Sequence, residues 1–369
     1  MHHRVNTFVA VSASRISIKE FLTCSQNGLV IDVRSPGEYN HAHMPGSVNV
    51  PLFDDEERKV VGTAYKQQSR EEAIKIGLDF FGPKMRGIVE EVEHLVNQRK
   101  SATSNPVTNG GEPPSVKSVF LFCWRGGMRS AAISWLLHLY GFNVIVLAGG
   151  YKAYRNYVLE VLNEPYSLNV VGGYTGSGKT EVLHRLKNKG ACIIDLEHLA
   201  LHKGSAFGSI GMPAQPSQEM FENQLALALS SQREETIWIE DESQRIGLVN
   251  IPAPFWQTIR RAPVYFIDIP FEERLGHITE EYGAFDREAL AAAIQRISKR
   301  LGGLETKNAL RYLQENNFKE CFRILLAYYD KHYLKGLHNR EALSALLTNF
   351  PCARVSVANA DLLLKHQPA

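Results

Sequence analysis

A chain of 369 residues, 44% hydrophobic and 22% charged, has the composition of an ordinary soluble globular protein and the length of about two domains. Its net charge of +2 argues for no nucleic-acid partner by itself, and nowhere do 18 uncharged apolar residues run together, so no membrane role is expected. Five scattered cysteines without a C-x-x-C pair exclude a disulfide framework or zinc ribbon, and the N-terminal MHHRVNTFVAVSASRIS has no apolar core for a signal peptide, which together point to a reducing, cytoplasmic setting.

In chain order, GLVIDVR (28–34) reads as a buried strand, SREEAIKIGLDFFG (69–82) and MRGIVEEVEHLVNQRK (85–100) as two helical stretches, and VFLFC (119–123) as another buried strand. Between them SATSNPVTNGGEPPSVKS (101–118) is a loop without core-forming residues, expected inside the first domain because the strand after it needs sheet partners from before it. RSAAISWLLHLYG (129–141) is a helix closed by Gly141, followed by the strand NVIVL (143–147) and the turn AGG. After NEPYS (163–167) the pattern restarts: strand LNVVGG, glycine loop, helix TEVLHRLKNKG, strand ACIID, helix SQEMFENQLALALSS, then strands TIWIE and VYFIDI. That is a parallel βα series. Beyond residue 285 strands are expected to stop, and REALAAAIQRISKRLGG and FKECFRILLAYYDKHYLKGL suggest a helical C-terminal part. The expected architecture is α/β throughout, with domains at 15–160 and 166–369 and no internal repeat.

Residues 287–340 hold 11 Lys and Arg against 5 Asp and Glu, a local surplus of +6 in a chain whose remainder sums to −4. This is either a basic helix surface or a polyanion-binding face. GGYTGSGKT (172–180) matches G-x-x-x-x-G-K-[ST] between an apolar strand and an amphipathic helix. Gly173, Thr175, Gly176, Ser177 and Gly178 let successive N–H groups turn toward one anion, Lys179 adds a point charge, and Thr180 can ligate magnesium. The cation's second ligand should be an acid at the end of a neighbouring strand: Glu240, Asp241, Glu242 or Asp195, of which Asp241 is favoured. Nucleotide is the usual tenant of such a loop, but any diphosphate fits the same amides.

VFLFCWRGGMRSAAISWLL (119–137) sets Cys123 at the end of a strand and the start of a helix, where free N–H groups and the helix dipole favour thiolate. Arg125 and Arg129 add positive charge, and Gly126 and Gly127 permit the positive φ of a tight anion-binding loop. A lone cysteine in an apolar run is ordinarily an inert core residue; the C-x5-R-S context reverses that reading. IDVRSPGEYNHAHMPGSVNVP (31–51) and LAGGYKAYRN (147–156) resemble the two signatures of rhodanese sulfurtransferases. The loop departs from that family, with five residues between cysteine and arginine as in cysteine phosphatases, a width suited to a tetrahedral phosphoryl-type anion. Phe122 stands where many cysteine phosphatases have histidine.

A rhodanese-like parallel-sheet domain bearing C-W-R-G-G-M-R-S, followed by a P-loop NTPase-like α/β domain bearing G-G-Y-T-G-S-G-K-T, resembles the tRNA 2-selenouridine synthases. VVGTAYKQQSREEAIKIG (60–77) and DLEHLALHKGSAFG (195–208) also look like that family. The resemblance implies conversion of wobble 2-thiouridine in tRNAs for lysine, glutamate and glutamine to 2-selenouridine, through S-geranylation by geranyl diphosphate and then replacement by selenium from selenophosphate. It implies that Cys123 takes selenium as a selanylcysteine. No tightly bound cofactor is expected beyond magnesium on Thr180 and Asp241.

On the residues' own chemistry, Arg129 and the amides from Arg125 to Met128 would hold the selenophosphate oxyanion, and the 173–180 loop the prenyl diphosphate. Trp124 is a candidate for stacking on the base, and Tyr65 and Lys66 for tRNA contact. An apolar groove for the geranyl chain is expected, with Phe207, Phe221 and Trp256 as candidates to line it. The alternative reading is a P-loop kinase or ATPase with a regulatory rhodanese-like module; a thiosulfate sulfurtransferase and a phosphatase fit the loop or its neighbours less well.

Overall fold

A computed structural model describes residues 14–102, 118–232 and 235–366. The chain divides into two compact units, Met1–Leu159 and Glu160–Ala369. The start of the N-terminal stretch read for a signal peptide, through residue 13, and most of the 101–118 loop, 103–117, lie outside the described residues.

In the first unit, β1 (Ser14–Ile16), β2 (Leu29–Asp32), β3 (Val48–Asn49), β4 (Ser118–Phe122) and β5 (Asn143–Leu147) form a sheet in the order β1-β5-β4-β2-β3. Every pairing in it is parallel. Helices cover both faces of a parallel sheet, so its inner strands read as unbroken apolar runs, and all four residues of β2 and four of five in β4 are buried. β4 pairs with β2 across the long loop, as the need for partners required. The two expected helical stretches before it are one helix, Arg70–Ala102, of 33 residues, which passes through Pro83. Proline removes one backbone donor there, but Phe81 before it and Ile88, Val92 and Val96 after it enter the same core, so burial on both sides outweighs the break. Gly141, at φ 106°, closes the helix Met128–Tyr140 by donating to the His138 and Leu137 carbonyls.

The second unit carries β6 (Leu168–Gly173), β7 (Cys192–Ile194), β8 (Ile237–Glu240), a short hairpin of β9 (Arg245–Ile246) and β10 (Val249–Asn250), β11 (Val264–Asp268) and β12 (Leu347–Pro351). Its parallel sheet has the order β12-β11-β6-β8-β7. The expectation that strands end near residue 285 is corrected by β12, which returns after the helices to pair with β11. Only Phe350 of LTNFP is buried, so this edge strand has no apolar run to announce it and exists through its partner. Helices Arg287–Leu301, Gly303–Gln314 and Phe318–His338 form the helical C-terminal part around Leu290, Ile294, Leu313 and Phe322. Among the described residues no helix is long and apolar enough to cross a membrane.

Candidate functional site

β4 ends at Phe122, and Cys123 begins a turn that leads into the helix Met128–Tyr140. Gly126 adopts φ 65°, where a Cβ would sit 2.9 Å from the Leu147 carbonyl. Gly127, expected to share that conformation, instead has a negative φ of −94°. Beneath the turn, Gly150 at φ 61° leaves no room for a side chain against the Cys123 carbonyl. Tyr151 and Lys152 then donate their N–H groups to the carbonyls of Cys123 and Trp124, at 2.8 and 3.0 Å. The LAGGYK segment is therefore the floor on which the cysteine loop rests.

The Cys123 side chain is 3% exposed, and its Sγ lies 3.3 Å from Ser130 Oγ. Burial pushes the thiol pKa up, but the Ser130 hydroxyl, the N–H groups of Ser130 and Arg125, and the Arg129 charge outweigh it, so the net shift is downward. The sulfur is thus buried without being walled off from polar hydrogen. Arg129 is held by Glu38, with Nη1 to Oε2 at 2.6 Å, and Glu38 also meets Arg58 at 3.4 Å. Arg125 is exposed. Phe122 packs edge-on against Phe21, which leaves no polar group at the place where phosphatases carry histidine.

The 31–51 segment is scaffold for this loop. Asp32 and Arg34 form a fully buried pair at 2.6 Å, and Arg34 also donates to the Ala42 carbonyl and lies 3.7 Å over the Tyr151 ring. Asn49 Nδ2 ties the carbonyls of Asp32 and Arg34 together, at 2.8 and 2.9 Å. These bonds fix the chain that delivers Glu38 to Arg129. Trp124 is half-exposed and tilted on Tyr151 at 5.7 Å. Tyr65 and Lys66 are exposed on the helix Asp55–Gln67.

In the second unit β6 ends at Gly173, and Gly176 and Gly178, at φ 77° and 72°, turn the loop into the helix Lys179–Asn188. Lys179 Nζ lies 3.1 Å from the Gly173 carbonyl, and Ser177 Oγ donates to the Tyr174 carbonyl at 2.7 Å. Three residues outside the motif brace it. Arg274 donates to the Thr175 carbonyl at 3.1 Å and is itself clamped by both oxygens of Asp330 at 2.8 Å. Tyr333 Oη accepts from the Gly173 N–H at 3.1 Å.

Asp241, favoured from sequence as the acid beside Thr180, faces elsewhere: Arg340 takes one of its oxygens and Tyr333 Oη donates to the other at 2.8 Å. Thr180 Oγ1 instead meets Glu240 Oε2 at 3.1 Å and Glu197 Oε2 at 3.3 Å. The reason is strand alternation, which sends 240 and 242 to one side and 241 to the other. Glu197, Glu240 and Glu242 bring carboxylate oxygens within 4.8 Å of one another. Asp195 caps the helix Leu196–Ala200 and accepts from His184 at 2.6 Å.

A family model described as the tRNA 2-selenouridine synthase AAA domain matches residues 166–349, and one for the rhodanese-like domain matches 17–157. A tRNA 2-selenouridine synthase of Nitrosomonas europaea is 32% identical over 84% of this chain and 89% of its own. The proteins of that name from Hydrogenovibrio crunogenus and Shewanella denitrificans are each 34% identical, over 88% and 78% of this chain and 93% and 77% of theirs. The chain belongs to the tRNA 2-selenouridine synthase family.

In this member of the tRNA 2-selenouridine synthase family, the acids beside Thr180 suit a hard divalent cation: an oxygen-only donor set, packed tightly enough to repel itself. Burial first, and then mutual repulsion, pushes Glu197 up to about 9 and Glu242 to about 8, with Glu240 also raised. The phosphate loop floors a cleft of about 1750 Å³. Trp256 lines it, whereas Phe207 and Phe221 are buried core. Glu197 gave no signal in sequence beyond lying in the 195–208 segment that resembles the synthase family.

The lowered Cys123 pKa makes a direct prediction. Its alkylation by iodoacetamide, followed by peptide mass spectrometry, should reach half-maximal rate at a lower pH than a free cysteine thiol measured alongside. Ser130→Ala should move that midpoint upward. A wild-type midpoint at or above the free-thiol value would show that burial dominates.

Proposed function

We propose that this chain converts wobble 2-thiouridine of tRNAs for lysine, glutamate and glutamine to 2-selenouridine, in the cytoplasm, through an S-geranyl intermediate. Its relatives are named for tRNA 2-selenouridine synthesis, and the Cys123 sulfur carries the reading further: buried, yet met by two backbone N–H groups and drawn toward ionisation.

Geranyl diphosphate places its diphosphate in the 173–180 loop, where Gly173, Thr175, Gly176, Ser177 and Gly178 supply the amide cradle and Lys179 the charge. The thiouridine sulfur attacks the geranyl C1, the C–O bond to pyrophosphate breaks, and the base loses its N3 proton. Lys179 stabilises the charge that gathers on departing pyrophosphate. Thr180 with Glu240 and Glu197 would hold magnesium, which neutralises diphosphate oxygens when bound. In the second step the Cys123 thiolate attacks the phosphorus of selenophosphate, the P–Se bond breaks and selenide departs, and water then hydrolyses the S–P bond to release phosphate. Arg129 and the amides of Arg125, Gly126, Gly127 and Met128 hold the tetrahedral phosphoryl end of selenophosphate. Selenide adds to C2 of the base, the C2–S bond breaks, and the geranylthio group leaves as geranylthiol with a proton.

Incubation with 2-thiouridine-bearing tRNA, geranyl diphosphate and selenophosphate, followed by nucleoside mass spectrometry, tests this. Selenouridine should form only when both donors are present. ATP turnover that needs no tRNA and survives Cys123→Ser would favour the P-loop kinase or ATPase instead.

A further inference from the structure

Part of the basic surplus of 287–340 faces the cleft. Arg296 and Arg300 line the cleft above the phosphate loop, together with Arg260 from the helix Ala253–Arg261 and Arg245 of β9. Among the described residues none of these four meets a carboxylate in an ion pair. Arg245, Arg260 and Arg296 donate only to carbonyls, of Gly247, Gly336 and Ala206, each at 2.9 Å. Of the acids lining the cleft, Glu281 pairs with Lys203 and Asp241 with Arg340, Glu181 lies 3.9 Å from His277, and Glu197 and Glu242 cluster with Glu240.

The uncompensated charge registers on its neighbours. After burial, Arg296 presses the His202 imidazole pKa down, and Arg300, Lys335 and Lys331 do the same to His332. Aromatic surfaces alternate with the arginines: Trp256 lies 5.6 Å beneath the Arg260 guanidinium, and Tyr328 tilts against His332 at 4.4 Å. A diphosphate needs only the loop at the floor. Small-molecule sites span about 300–1,000 Å³, so a cleft of about 1750 Å³ has room for much more.

We propose that this rim is a single-stranded RNA interface. It seats the unpaired anticodon strand above the phosphate loop, with Arg245, Arg296 and Arg300 on backbone phosphates and Trp256, Tyr328 and His332 against splayed bases. Cationic groups alternating with π-surfaces fit single-stranded RNA better than a protein partner, which would favour a continuous apolar centre. The inference rests on the reading that tRNA is the substrate.

The test uses the full chain and tRNA binding by fluorescence anisotropy across a salt series. Arg245→Gln with Arg300→Gln removes two charges while breaking one bond to a neighbouring carbonyl. This double variant should weaken tRNA binding about tenfold or more and flatten the log-affinity against log-salt slope by about 1.4, at about 0.7 per single-strand phosphate. Geranyl diphosphate binding should persist, and the Lys versions should restore RNA affinity. Unchanged affinity and slope would overturn the interface.

Ultraviolet crosslinking of a 2-thiouridine anticodon stem-loop to the wild-type chain does not depend on how the variant folds. Crosslinked peptides within 245–260 and 296–332 support the proposal; crosslinks confined to the first unit, such as around Tyr65 and Lys66, overturn it. If wild-type protein binds no tRNA at all, the proposed function itself falls, whereas tRNA binding that ignores both arginines removes only this surface.

Discussion

Cys123→Ala should accumulate the S-geranyl nucleoside and form no measurable selenouridine, whereas Lys179→Ala should form almost none of either. The two loops lie in separate units of the chain, and the chemistry assigned to each is different. Removing the thiol deletes the nucleophile that frees selenium from phosphorus, so the loss in the second step should be at least about 10³-fold, as for other covalent nucleophiles. Geranyl transfer involves no bond to that sulfur and should continue. Lys179 lies at the mouth of the amide cradle, 3.1 Å from the Gly173 carbonyl. Its loss removes charge stabilisation from departing pyrophosphate, an effect on the order of 10²–10³ in rate. Nucleoside mass spectrometry of timed reactions separates the steps, and two variants that stall at the same intermediate would refute this division.

The second large effect separates the acid that holds the fold from the acids that face Thr180. Asp241→Ala strips the partner from Arg340, whose side chain is wholly buried. It also strips the acceptor from Tyr333, which braces Gly173. Breaking a buried pair from one side costs about 3–5 kcal/mol. At roughly 2–4 °C per kcal/mol for a unit of this size, the melting temperature should fall on the order of 10 °C. Glu240→Gln should do the opposite in metal-free buffer, since it removes an acid that burial and its two neighbours keep from ionising, and its melting temperature should be no lower than wild type. The variant should, however, lose most of the stabilisation that added magnesium confers on wild type. Thermal denaturation with and without magnesium gives both readings. If Asp241→Ala melts like wild type but no longer responds to magnesium, the sequence-based preference for Asp241 was right and the geometric one is wrong.

Much of this molecule is legible without coordinates, and for a local reason. NVIVL is β5 to the residue and LNVVGG is β6 to the residue, because the inner strands of a covered parallel sheet are mostly buried and so read as short apolar runs, here interrupted only by Asn143 and Asn169. The phosphate loop and the Cys123 turn declare themselves through glycines and cations a few positions apart, since backbone sterics and hydrogen bonding act over one turn. The same closeness in sequence made the family resemblance readable. Other features depend on which surfaces meet after the chain has closed on itself. Arg129 finds Glu38 91 residues away, and Tyr333 reaches Gly173 across 160. β12 becomes a strand through a partner more than 80 residues earlier. The choice of Glu240 over Asp241 turns on the facing of one residue, and Glu197 joins it from the first turn of the helix Leu196–Ala200. Long-range pairings of this kind carry no periodic trace, because their energy comes from burial and charge brought together by packing, not from the order of neighbours along the chain.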